Sequence, residues 1–293
     1  MRVRTFLTTV IASAAVAGLA ACSSDSTAPN TTGLELQISN DIAASSGQAA
    51  ANENTDLSGA DDISSATKAQ LGHAPSLPHP GGAGCSQSGD VGDLRWYCVP
   101  DTLTQSNGVR SDTLIRQRNF EFFATGTPQS TITSTTDSLD LGGANGVAVY
   151  AAAHRARWRG VSVRTRHHGV TDKTPSFSSD SMRTWNGTTL AYDTASYTGS
   201  VWSATYTAVA HDTTENVVYW QPRGRYPYPQ SGEFHRTVDA NYTANGPSTR
   251  TGSVSRHIVV TYNGTETAQL QVIGTTTLTC SLDLATGEVS DCH

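Results

Sequence analysis

The chain has 293 residues, 37% of them hydrophobic, 7% aromatic and 15% charged, and 19 Lys and Arg against 25 Asp and Glu give a formal net charge of −6. An acidic chain without a basic stripe is poorly suited to a phosphate backbone, which disfavours nucleic acid as a partner. The length accommodates one sizeable domain with appended segments.

The N-terminus carries Arg2 and Arg4 ahead of a 16-residue apolar run from Phe6 to Ala21, interrupted by Thr8, Thr9 and Ser13. A membrane-spanning helix needs about 20 apolar residues, so the run fits a signal peptide (1–21) better than a permanent span. It ends in Leu19-Ala20-Ala21-Cys22, which resembles the lipobox of bacterial lipoproteins. The resemblance implies a diacylglyceryl thioether on Cys22, cleavage before it, and acylation of the new amino terminus. A thiolate is the nucleophile such a step requires, and two or three acyl chains make a durable membrane anchor. Ser23 in place of Asp implies the outer membrane, with the side faced by the domain left open. The other reading is an ordinary signal peptide with an incidental cysteine.

Residues 22–84 read as a lipidated low-complexity tether, rich in Ser, Ala, Asn, Asp, Gly and Pro, with Lys68 against seven acids. Such a segment buries too little surface to offset its chain entropy. One short helix is expected within it, where Leu34, Leu36, Ile38, Ile42 and the following alanines could dock on the domain.

From Cys85 to His293 the pattern predicts an all-β domain. Asn-Gly pairs recur at 107, 145, 186, 245 and 263, and Asn-Gly tolerates the positive φ of tight hairpin turns. The C-terminal third alternates cleanly. Val254, Ile258, Val260 and Tyr262 share a face, as do Ala268, Leu270 and Val272, and then Leu278, Cys280, Leu282 and Leu284. The stretch 145–159 fits either a helix or a strand, and the alternation that continues after it favours the strand. Long antiparallel hairpins forming a sandwich or partly closed barrel are expected, preceded by the signal peptide and flexible tether.

Four cysteines remain beyond Cys22 and fit an oxidising compartment. Folding CSLDLATGEVSDC about Thr286 sets Leu284 against Glu288, Leu282 against Ser290 and Cys280 against Cys292. Opposed strand residues come within disulfide reach, which leaves Cys85 to pair with Cys98.

No GxSxG elbow, HExxH, P-loop or EF-hand loop occurs, so no catalytic residue, cofactor or metal is assigned. His154, His235 and His257 could converge across neighbouring strands, and Arg155, Arg157, Arg159, Arg164 and Arg166 could form an anion-binding row; both patterns also suit a solvated sheet face. The most distinctive stretch is YWQPRGRYPYP, in which Tyr219, Arg223, Arg225, Tyr226 and Tyr228 are candidate ligand-binding residues. Aromatics interleaved with guanidinium groups suit sugars or peptides, and a loop plugging the domain is the structural alternative. Trp220 is expected in the core, with Tyr226 and Tyr228 at the rim. These features predict a cell-envelope lipoprotein with a binding or carrier module for an apolar or glycan ligand. A structural or interaction protein of the envelope is the alternative, and an enzyme without a recognisable motif is a third class.

Overall fold

The computed structural model describes residues 31–68, 85–87, 92–99, 101–106, 110–117, 119–130, 135–141, 148–158, 161–179, 182–198, 203–221, 224–246 and 248–293. Cys22, the signal segment, residues 69–84, Arg159, Arg223 and the Asn-Gly pairs at 107 and 145 lie outside them. Helix α1 spans Thr31–Lys68. Short strands follow: β1 (Cys85–Gln87), β2 (Trp96–Cys98), β3 (Asp101–Ser106), β4 (Arg110–Gln117), β5 (Asn119–Ala124), β6 (Thr127–Gln129) and β7 (Ser138–Leu141). Long strands come next: β8 (Ala148–Trp158), β9 (Val161–Ser179), β10 (Met182–Thr198), β11 (Ser203–Trp220), β12 (Ser231–Asn245) and β13 (Thr249–Thr261). The order closes with β14 (Thr267–Ile273), β15 (Thr277–Asp283) and β16 (Val289–Ser290). The stretch that could be helix or strand is therefore strand from Ala148.

Every pairing is antiparallel, and from β9 to β16 each strand pairs with the next in sequence. Strand β9 is a fork. Its first part pairs with β8, which leads to β4 and β3. Farther along, Lys173 and Ser176 pair with β7, which leads to β5, β2 and β1. Helix α1 meets β10 at Tyr197 and also the β14–β15 turn at Thr275. Strands that far apart would lie roughly 20–25 Å from each other in a flat sheet, so the sheet must curl. It forms a half-barrel with the helix inside, the partly closed form of the expected all-β architecture.

The expected short helix is instead 38 residues long. Its sequence has low intrinsic propensity, with Gly, Ser, Asn and Asp throughout, so packing must supply its stability. Leu34, Ile38 and Ile42 recur every four residues and are buried with Ala43, Ala50 and Leu57 in the same core as the sheet. Leu36 points outward. Small residues let the backbone approach closely: a Cβ on Gly47 would lie 2.5 Å from Val289 Cγ2 and 3.1 Å from the Gly287 carbonyl.

The period-two faces lie where the sequence puts them. Ile258, Val260, Tyr262, Ala268, Leu270, Val272, Leu278, Cys280, Leu282 and Leu284 are buried, and Val254 packs against them half-buried. Both disulfides are present, Cys85–Cys98 with S–S 2.05 Å and Cys280–Cys292 with 2.12 Å.

The last hairpin differs from expectation by one residue at its turn. Leu282 faces Val289 rather than Ser290, because the loop has four residues, with the Asp283 N–H bonded to the Glu288 carbonyl at 2.9 Å. Asp291, at φ 52°, then inserts an extra residue, and the Thr279 and His293 backbones bond reciprocally at 3.0 and 3.1 Å. A bulge of this kind shifts register by one. It restores the opposition of Cys280 and Cys292.

Of the described Asn-Gly pairs, Asn263-Gly264 turns as expected, with Gly264 at φ 84°, and Asn245-Gly246 ends β12. Asn186-Gly187 does not turn. It sits inside β10 at a register shift between Trp185 and Gly187.

Candidate functional site

The inward residues of the half-barrel meet a polar face of α1. Asp41 is buried at this seam; its Oδ2 accepts from the Tyr206 hydroxyl at 2.5 Å and its Oδ1 from Gln37 Nε2 at 2.9 Å. Its main-chain carbonyl accepts from the Tyr197 hydroxyl at 2.7 Å. Burial pushes the Asp41 carboxyl up to about 7, outweighing the two donors that favour its ionised form. The Tyr206 and Tyr197 phenols are raised, first by burial and then by the Asp41 charge, so both remain donors. Three turns along the helix, Glu53 accepts from Thr214 Oγ1 at 2.7 Å and Asn54 from the Tyr219 hydroxyl at 3.0 Å. Towards the helix start, Ser39 accepts from Arg256 Nε at 3.2 Å and Glu35 from Thr275 Oγ1 at 3.4 Å.

Beside Asp41 lies a cavity of about 30 Å³, lined among others by Gln48, Asn52, Asp193, Tyr206 and Val238. That is room for one or two waters, whereas small-molecule pockets run to roughly 300 Å³ and more. On the sheet side, Arg236 donates to Asp212 at 2.7 Å and also to Asp193, joining β12, β11 and β10 through a buried ion cluster. Among the described residues, the trough is thus occupied by the chain's own helix, whose buried Asp41, Glu53 and Asn54 each accept from a hydroxyl of the sheet.

The candidate binding stretch divides differently from expectation. Tyr219 is 0% exposed and belongs to the core, while Trp220 is 45% exposed. The reason is a bulge. Register shifts between Glu215 and Val218, where Asn216 adopts φ 49° and its N–H is held by Asn186 Oδ1 at 2.8 Å. One extra residue reverses the in–out alternation beyond it, so Thr214, Val217 and Tyr219 face in and Trp220 faces out. The expectation of a core Trp220 is overturned.

The Trp220 ring meets Tyr226 edge-on, centroids 5.2 Å apart at 83°, and Arg225 Cζ lies 5.3 Å from the Tyr226 centroid. Arg225 is exposed and Tyr226 half-buried. Tyr228 is half-buried and packs against the core, its phenol raised by burial and then by Glu266. The loop is pinned by Gln230 N–H to the Val218 carbonyl at 2.7 Å and Gly264 N–H to the Pro229 carbonyl at 2.8 Å. Arg225, Tyr226 and Trp220 therefore form one aromatic-cationic cluster on a fixed rim. Tyr219 and Tyr228 serve the structure beneath it.

The three histidines do not converge. His154 lies on β8, four strands away from β12 along the sheet. His235 and His257 do stack, ring centroids 5.6 Å apart, and His235 Nε2 lies 3.1 Å from Glu233 and 3.5 Å from Glu215. Burial and then the neighbouring His235 lower the His257 pKa. Among the described residues no set of three His, Cys, Asp or Glu is arranged to hold a metal ion. Arg155 and Arg164 are backbone partners across β8 and β9.

Sequence reasoning missed Asp41, Glu53 and Asn54 as core residues. The only signal was on the other side of the contact, in Tyr197, Tyr206 and Tyr219, whose hydroxyls need partners once they face inward. No protein family matches this chain, and no curated protein or solved structure is detectably similar to it.

Proposed function

We propose that this chain is a lipid-anchored cell-envelope binding module, held in the outer membrane through Cys22, that engages envelope glycan with its aromatic rim rather than enclosing an apolar ligand. The observation that carries this reading is the contrast between inside and outside. Among the described residues, the half-barrel holds α1 with a water-sized cavity beside it, whereas Trp220 stands half-exposed against Tyr226, with Arg225 over the Tyr226 ring, on a pinned loop. A rigid aromatic pair offers a flat apolar face to a sugar ring at low entropic cost, and the guanidinium adds donors for hydroxyl or acidic substituents. A carrier would need a cavity tenfold larger.

Retention of the protein on isolated peptidoglycan or envelope polysaccharide tests the reading. The Trp220→Ala/Tyr226→Ala double variant is expected to lose about 1–3 kcal/mol of binding, a 5- to 150-fold drop in affinity. Unchanged retention would reject the rim. A second reading, an envelope interaction protein, draws on the outer face of β10 and β11. There Tyr192, 53% exposed, and Val209 are cross-strand partners beside the exposed Leu190.

A further inference from the structure

We infer that the free edge of β13 from Thr249 to Ser255 is a strand-addition site that takes the same edge of a second copy of this chain, antiparallel and centred on Gly252. The inference goes beyond the glycan reading and does not depend on it. Strand β13 pairs with β12 along its whole length, from Thr249 to Thr261, whereas β14 reaches only His257 to Thr261. The β14–β15 turn stops at the level of Arg256, whose side chain lies against Gly274. Above that step no described residue pairs with the outer edge of β13. Seven residues at about 3.4 Å each leave a notch of roughly 24 Å, with backbone N–H and C=O groups of alternate residues pointing into it.

This edge lacks the usual protection. Natural sheets guard free edges with lysine, proline, bulges or very short strands. Thr249–Ser255 contains no Lys and no Pro, and its register with β12 is unbroken. Thr249, Thr251, Ser253 and Ser255 stand exposed on the outer face and carry no charge. The stretch TRTGSVS also complements itself when reversed. Pairing about Gly252 sets Thr249 opposite Ser255, Arg250 opposite Val254 and Thr251 opposite Ser253 of the second copy. Hydroxyl then meets hydroxyl on the outer face, a favourable cross-strand pairing. On the inner face each Arg250 meets an aliphatic side chain, and the two Arg250 stand four residues apart along the seam, about 14 Å. No like charges are opposed.

Gly252 at the centre leaves room for the ring of Tyr242, since a Cβ there would lie 2.8 Å from the phenol oxygen. Opposed glycines therefore accommodate both Tyr242 rings over the seam. The pairing adds about six to eight backbone hydrogen bonds. Two seven-residue strands bury less than the roughly 1,200 Å² of a standard interface, so the dimer is reversible. The two-fold axis runs perpendicular to the sheet, which keeps both helix starts on one side; each is tied to β13 by the 3.2 Å bond from Arg256 to Ser39. Lipid anchors of the kind proposed above reach a single membrane in this arrangement, and that confinement raises the effective concentration.

The test uses the full chain, isolated from the membrane or from the soluble fraction, with Thr251→Cys in one preparation and Ser253→Cys in another, oxidised without prior reduction. Directly opposed residues come within disulfide reach, whereas diagonal ones, about 7–8 Å apart, do not. An equal mixture is expected to give a covalent dimer, linked between 251 and 253 in peptide maps, severalfold above either variant alone. Thr251→Lys/Ser253→Lys opposes lysines at exposed positions and is expected to leave the thermal melt unchanged while losing the dimer in sedimentation. Thr251→Lys/Ser253→Glu opposes Lys to Glu and is expected to keep it. Cross-linking that ignores position, no cross-linking at all, or a dimer that survives the double lysine overturns the site. Slow amide exchange of 249–255 in the dilute monomer means that a segment of the same chain covers the edge, and overturns the second copy as its occupant.

Discussion

Asp41→Asn should stabilise the protein above neutral pH and leave it nearly unchanged in mild acid. Unfolded, the Asp41 carboxyl titrates near its ordinary 3.8; folded, it titrates near 7 because the seam removes its water. Below about pH 4 both states carry the proton, and the contribution of Asp41 is fully present. Between pH 4 and 7 the folded state holds a proton that the unfolded state has lost, so stability falls as pH rises; above 7 the loss is complete. At 1.36 kcal/mol per pH unit the full loss is about 4 kcal/mol. Asparagine keeps an oxygen for the Tyr206 hydroxyl and does not titrate. Denaturant unfolding of the two soluble chains at intervals from pH 4 to 8 isolates the effect, since other carboxyls cancel in the difference. The variant should gain from near zero at pH 4 to as much as about 4 kcal/mol at pH 8. A difference that stays constant across the range would refute the buried, protonated Asp41.

Two further outcomes follow from the geometry. Tyr219→Ala should cost about 3–5 kcal/mol as a large core truncation, and Trp220→Ala no more than about 1 kcal/mol; equal losses in thermal melts would show that the Asn216 bulge is misplaced. Replacing both Cys280 and Cys292 by serine should cost about 3 kcal/mol, the closure entropy of a loop of this length, while unreduced peptide maps of the wild type should link these two cysteines and not Cys85 to Cys280.

The strands of the C-terminal third were legible because one face is buried and one wet, so Leu270 and Val272 read as period two against Gln269 and Gln271. The disulfide at Cys280 and Cys292 was legible for a weaker reason: two offsets, at the four-residue turn and at Asp291, cancel before the cysteines are reached. At Asn216 no second offset follows. Alternation read from Val217 and Val218 therefore could not decide between Tyr219 and Trp220, since a bulge leaves no reliable mark in residue type. Asn186 contributed a false mark, because its side chain serves the bulge across the sheet rather than a turn of its own.

Helix α1 was misread for a different physical reason. Composition judges a segment by the apolar surface it can bury, and this one has little beyond Leu34, Ile38, Ile42 and Leu57. Its remaining buried groups are polar, and a buried carboxylate or amide is tolerated only when donors meet it. Those donors sit 156 to 165 residues away in sequence, on Tyr197, Tyr206, Thr214 and Tyr219. No local pattern can report them. Once the meander from β9 to β16 has curled, its inward tyrosines present hydroxyls that a wholly apolar helix would leave unsatisfied. A helix dotted with Asp, Glu and Asn answers them, and its alanines and Gly47 keep it thin enough to fit. The composition that made the segment look like a tether is what allows it to occupy the trough.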